Sequence, residues 1–291
     1  MLVTWFAAGA AAVSIVIRKR TWRVQGERGA SITVLSLGLA AILLSEYNGL
    51  GPIIWQATGY GYLDDFAGHL LWMVGFIALL HQALYRLVDS DEQRQIFDAL
   101  VRWPVTLIVP LMLSAMYAST AMHSDAPIAG SVANAPNVGP WLWFYRIIWY
   151  GGMIYLSGVL IRVLRIVRNT GGGPQRIARM YLLAAWLTLA ALVVRVVSWW
   201  DALAVLGHIP PLARSAATVV IATAAAASWL KKLRGYRSLL RGTRTSRRAR
   251  RRDTLESHRL RVLLSAGAIL DDAQAPREPD PPPPHQPLPA T

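Results

Sequence analysis

The chain contains no cysteine, which excludes disulfides, thiolate metal sites, iron–sulfur clusters and cysteine nucleophiles together. Lysine is nearly missing too. The only three are Lys19, Lys231 and Lys232, all outside the apolar runs, so a retinal Schiff base within a membrane span is excluded. Charge is scarce throughout, at 16% of residues against 54% hydrophobic, with a mean hydropathy of +0.35. That balance belongs to a protein whose surface is solvated by lipid rather than water. Three stretches, Glu46–Asp65, His123–Pro140 and Asp201–Ala213, hold no Lys or Arg, although the 291 residues include 30.

What is present is a topology written in charge. Seven apolar runs are expected to cross the bilayer: Met1–Ile17, Gly29–Ser45, Phe66–Leu87, Trp103–Met122, Trp141–Ile161, Met180–Leu203 and Leu212–Leu230. The gaps Arg18–Arg28, Arg86–Arg102, Arg162–Arg179 and Lys231–Arg277 hold five, three, five and fourteen basic residues, or 27 of the 30. Cytoplasmic loops collect Lys and Arg, so the expectation is an all-α seven-helix transmembrane bundle with its N-terminus outside and its C-terminus cytoplasmic. The first run is short for roughly 30 Å of hydrocarbon, and an interfacial helix is its alternative. It lacks a basic n-region and is followed by Arg18, Lys19 and Arg20, the reverse of a signal peptide's charge order. The net charge of +14 follows the cytoplasmic gaps, where anionic headgroups are a nearer partner than nucleic acid.

Residues 1–230 therefore read as the bundle, 231–272 as a basic cytoplasmic tail and 273–291 as a Pro-rich end unable to bury a core. In the tail, WLKKLRGYRSLLR from Trp229 mixes apolar and basic residues, making Lys231, Lys232, Arg234, Arg237 and Arg241 candidates for headgroup binding. A separate short helix is expected over Thr254–Leu270. Within the spans, Pro104 suits an N-terminal turn and Pro110 is expected to kink its helix. Trp141, Trp143, Trp149, Trp199 and Trp200 read as interface anchors, with Trp199 also placed to stack on Arg195. The pairs Gly151–Gly152 and Ser157–Gly158 permit close helix approach.

Ionisable groups within spans are expensive and mark a site or a packing partner. The three arginines outside the cytoplasmic gaps are Arg146, Arg195 and Arg214. With His69, Glu46, Asp64, Asp65 and Asp201 they all fall in the outer leaflet or its rim. Two explanations compete. Either the arginines snorkel, with Arg195 paired to Asp201 or Glu46, or they line a water-accessible cavity for an anionic ligand or for proton coupling, with His69 as a titratable member. No cofactor is expected. His69 and His81 stand 12 residues apart on one helix, about 18 Å, too far to share a metal. No phosphate loop, nucleophile elbow or catalytic carboxylate pair is present, so no enzymatic activity is expected. GGGP at Gly171–Pro174 reads as a flexible connector.

Three segments carry a resemblance: GHLLWMVGFIALLHQ from Gly68, WFYRIIWYGGMIYLSGVLIRVLR from Trp143 and RMYLLAAWLTLAALVVRVVSWW from Arg179. With their spacing, the chain over Met1–Tyr236 resembles a family of actinobacterial seven-span plasma-membrane proteins described as transporters. The resemblance implies a multi-pass bundle and places His69, Arg146 and Arg195 at polar span positions, without assigning them roles. Members often carry a longer folded cytoplasmic domain, whereas here only Leu255–Asp272 precedes the proline run. The expected function is a small-solute transporter or ligand-binding protein with an outward-facing polar cavity; the alternative is a membrane anchor or sensor whose tail recruits a cytoplasmic partner.

Overall fold

A computed structural model describes residues 2–45, 49–123, 131–135, 139–169 and 175–274; for Gln25, Asp201, 239–249, Asp253 and 259–274 it describes the backbone alone. The described residues are helical with no strand. Among the described residues nine α-helices follow in order: α1 (Leu2–Ile17), α2 (Arg28–Leu43), α3 (Leu50–Thr58), α4 (Leu63–Leu84), α5 (Ser90–Phe97), α6 (Trp103–Ala118), α7 (Pro140–Asn169), α8 (Gln175–Val197) and α9 (Ile209–Gln274). The chain divides into two units, Met1–Lys231 and Lys232–Thr291.

Among the described residues five helices are long and apolar enough to cross a membrane: Leu63–Leu84, Ser90–Ala118, Pro140–Asn169, Gln175–Val197 and Ala202–Ser238. They coincide with the last five expected spans. The first two expected spans are the 16-residue helices α1 and α2, each about 24 Å long and shorter than the hydrocarbon core. Large apolar side chains lie exposed along the outside, including Phe6, Leu107, Ile147, Leu183 and Val193. Such a surface is unfavourable in water and neutral in lipid, which identifies the first unit as membrane-compatible.

At the core is α4, which packs against both α2 and α7, while α7 also contacts α6 and α8. Glycines set the spacing between α2 and α4. A Cβ on Gly68 would stand 2.7 Å from Leu44, one on Gly75 2.8 Å from Leu37, and one on Gly29 3.0 Å from Gln82. These close approaches replace the weak hydrophobic drive between helices in lipid with dispersion contact. In α7 only part of the expected glycine packing is realised: a Cβ on Gly152 would stand 2.9 Å from Ile108 of α6, whereas Gly151 and Gly158 face open space.

The passage from α5 to α6 is a π-helical turn, Asp98–Arg102, directly ahead of Pro104. Proline has no N–H to offer the carbonyl four residues earlier, that of Leu100. The Tyr155 hydroxyl of α7 donates to that oxygen at 2.9 Å instead. Beyond the bundle, the expected separate helix over Thr254–Leu270 is not found: the backbone of Lys232–Gln274 is one uninterrupted helix, because the Arg, Ala, Ser and Leu residues there carry no breaker stronger than Gly235 and Gly242. Of the expected Pro-rich end, residues 275–291 lie outside the described residues.

Candidate functional site

The first residues of α1, α4 and α9 and the last of α2 and α8 converge at one end of the first unit, the end that the charge pattern expects outside. There they enclose a cavity of about 790 Å³. Helix alternation explains the convergence. Elements that start at this end and elements that stop at it meet only if successive spans run up and down. Val3 and Thr4 of α1 line the cavity, and Arg18 sits about 21 Å further along the same helix, at the opposite end.

Of the charged residues expected to cluster, Arg195, Arg214 and His69 line this cavity, joined by His208. His69 is 4% exposed; its Nδ1 lies 2.7 Å from the Tyr145 hydroxyl, and its ring is 4.1 Å from that of Trp149. One ring nitrogen is therefore committed to a phenol, leaving Nε2 for any ligand. Trp72, Trp149, Tyr150 and Trp199 supply aromatic wall, and Ser45, Asn134, Thr188 and Ser198 supply hydroxyls and an amide.

Arg146 and Asp65 act one layer back, on the short segment Ser131–Ala135, whose Ser131, Ala133 and Asn134 line the cavity. The buried Asp65 carboxylate accepts from the Val132 N–H. Arg146, 5% exposed, donates through Nη2 to the carbonyls of Val132 at 2.8 Å and Ala133 at 3.1 Å. Its guanidinium carbon lies 5.5 Å over the Trp143 ring, a favourable cation–π separation. Arg195 completes the grip, donating to Asn134 Oδ1 at 2.5 Å and to the Gly207 carbonyl at 3.4 Å. The segment is thus fixed by three charged side chains from three helices: Asp65 and Arg146 satisfy backbone groups, and Arg195 holds the Asn134 side chain.

Several expectations change against this geometry. Arg146 does not snorkel to headgroups; it is turned inward onto backbone carbonyls. The described partners of Arg195 are Asn134 and Gly207, drawn from the loops that roof the cavity. Glu46 lies outside the described residues, and the side chain of Asp201 is not among those described. Trp199 does not stack on Arg195: its ring packs edge-on against Trp143 at 4.9 Å and Tyr150 at 5.2 Å, and its buried indole Nε1 has no partner among the described residues. Trp149 is buried against His69 rather than an interface anchor, whereas Trp141 and Trp200 are half exposed or more. Asp64 is buried in the first turn of α4, where a carboxylate complements the helix dipole. Lys231, Lys232, Arg234 and Arg237 are exposed, and the side chain of Arg241 is not described. Among the described residues no three His, Asp or Glu side chains gather as a metal site.

One charged residue was counted with the cytoplasmic loops and belongs to the core. Arg18 is fully buried and forms an ion pair with Glu27, Nη2 to Oε2 at 3.0 Å. It also donates to the carbonyls of Ala225 at 2.7 Å and Glu27 at 3.1 Å, and to the Ser31 hydroxyl at 3.3 Å. One turn earlier, Ser14 donates to the Ala222 carbonyl at 2.9 Å. The Ser14 and Arg18 pair, four residues apart on one face of α1, thereby ties that helix to α9. The spacing was visible in the sequence; the carbonyl partners 207 and 208 residues away were not.

No family model, curated protein or solved structure matches this chain.

Proposed function

We propose that this chain is a non-enzymatic, multi-pass plasma-membrane protein that takes up or holds a small solute in its polar cavity, with the cavity mouth and N-terminus outside and the basic C-terminal helix in the cytoplasm. The observation that carries this reading is the 790 Å³ cavity at the Lys- and Arg-poor end of the bundle, a volume typical of small-molecule sites. The resemblance to seven-span transporters, carried by the three apolar segments and their spacing, agrees with it.

The absence of cysteine makes the test direct. Single replacements Ser45→Cys and Ser198→Cys, both on the cavity wall, should react with a membrane-impermeant maleimide in intact cells. Ser257→Cys, exposed in the second unit, should react only after permeabilisation. Reaction of Ser198→Cys only after permeabilisation would reverse the orientation, and no reaction under either condition would remove the water-accessible cavity.

The second reading, a tail that tethers or signals, is supported by the exposure of Lys231, Lys232, Arg234 and Arg237. Anionic lipid would attract them by about 1 kcal/mol per basic residue, an attraction screened by salt. In nanodiscs, the tail should resist trypsin when the lipid is anionic, and that resistance should fade as salt rises.

A further inference from the structure

Helices α1 and α9 both start at the cavity and run side by side in the same direction, and two bonds at the far end fix their register. Ser14 donates to the Ala222 carbonyl and Arg18 to that of Ala225. Moving toward the cavity by three and four residues on each helix sets Ala11 level with Thr218, Ala7 with Ser215, and Val3 and Thr4 with Pro211 and Leu212. Ala11, Thr218, Ala7 and Ser215 are all buried. At the last level the burial gives out: Val3 is 43% exposed and Leu212 48%. The seam is therefore closed along most of its length by small side chains, which let helices approach closely, and it parts beside the cavity.

The parted end leads inward. Val3, Thr4, Pro211 and Leu212 line the cavity, and a small recess next to it is bounded by Thr4 and Pro211 together with Ala41 and Trp72. The rim also lies at lipid depth. From its exposed basic end at Lys19 and Arg20, α1 reaches only about 24 Å against roughly 30 Å of hydrocarbon, so Val3 stays among acyl chains. Its neighbours Leu2, Trp5 and Phe6 are exposed and apolar, a surface that suits lipid and not water. An opening with an apolar rim at this depth admits what dissolves in the bilayer and offers nothing to a hydrated ion.

We infer, resting on the cavity reading above, that the cavity has a side portal between the parted ends of α1 and α9, and that its ligand is a lipid-soluble molecule entering from the adjoining leaflet. Trp72 and Trp149 give the apolar body of that molecule an aromatic wall. The hydroxyls of Thr188 and Ser198 on the same lining donate to carbonyls of their own helix, and their oxygens keep lone pairs for a hydroxyl or amide at its polar end.

The experiment uses the full chain carrying Ser198→Cys in nanodiscs, labelled by N-(1-pyrenyl)maleimide dissolved in the lipid and, separately, by a membrane-impermeant maleimide in the water. Leu212→Trp, which adds bulk at the rim, should slow the lipid-borne reagent at least about tenfold and change the water-borne one less than about twofold. The retained water-borne rate also shows that the variant is folded. Val3→Trp, on the facing side of the rim, should repeat the result, and Leu107→Trp, on the exposed face of α6, should affect neither reagent. 1-Pyrenemethanol, an uncharged lipophile added to the lipid, should protect the cysteine from the water-borne reagent, and the protection should set in more slowly with Leu212→Trp. Equal effects on the two reagents in both rim variants overturn the portal. Absence of protection by 1-pyrenemethanol overturns the lipid-soluble ligand; either result leaves the cavity standing. No reaction with either reagent overturns the cavity reading itself.

Discussion

Arginine is buried at both ends of this bundle, and the two ends treat it differently. At one end Arg18 is enclosed completely, facing a carboxylate, two carbonyls and a hydroxyl. At the other, Arg146 and Arg195 bond to backbone carbonyls and an amide oxygen, and neither forms an ion pair among the described residues. A charge removed from water requires compensation, and a fully compensated charge has nothing left to offer a ligand. The Arg18 end is therefore a fastening. The Arg195 end instead sets a half-buried guanidinium, bonded to Asn134 and Gly207, beside an open cavity.

Substitutions graded from one end to the other should separate the two. The largest effect belongs to Arg18→Ala or Glu27→Ala, each of which strands the other charge in the interior. A loss of about 3–5 kcal/mol is expected in denaturant unfolding of the detergent-solubilised protein. The double replacement Arg18→Met with Glu27→Leu should recover most of that loss, because it removes both desolvation penalties together; failure to recover would mean that the Ala225 and Ser31 bonds, not the ion pair, carry the fastening.

Arg146→Ala comes next. Loss of its two carbonyl bonds should cost about 1–3 kcal/mol, concentrated in the segment it holds, so amide exchange at Val132–Asn134 should accelerate while the α2 and α4 amides stay protected. Arg195→Gln should be smallest in stability, under about 1 kcal/mol, since its bond to Asn134 is exposed and exposed polar pairs contribute little. The comparison would break if Arg195→Gln destabilised the bundle as much as Arg18→Ala, for then both ends would be fastenings.

Much of the helical layout was legible because the bilayer imposes a rule that one residue run can satisfy alone: about 20 apolar residues, internally hydrogen-bonded, between polar gaps. That is why the spans expected over 66–87, 103–122, 141–161, 180–203 and 212–230 coincide with helices long enough to cross. Met1–Ile17 and Gly29–Ser45 follow the same hydropathy and form shorter helices. The gathering of Arg195, Arg214 and His69 at one cavity was also legible, as a matter of depth: residues at the same level of an alternating bundle share an end. Depth alone did not show which polar group each residue faces. Trp149 was expected to be an interface anchor and yet is buried against His69, because rotation about the helix axis decides whether a side chain meets lipid or a neighbour.

By itself, then, the sequence determined that the chain is helical, that it is built for lipid, where its apolar runs lie and which gaps carry the positive charge, since each of these follows from local composition acting on a solvent with two phases. Only the tertiary structure decided that Arg18 is a core residue, that Asp65, Arg146 and Arg195 clasp the segment 131–135, and that α1, α2, α4, α8 and α9 leave a cavity between them. Those outcomes depend on contacts between residues as many as 208 positions apart, and the energy of a buried charge is set by what surrounds it rather than by what precedes it in the chain.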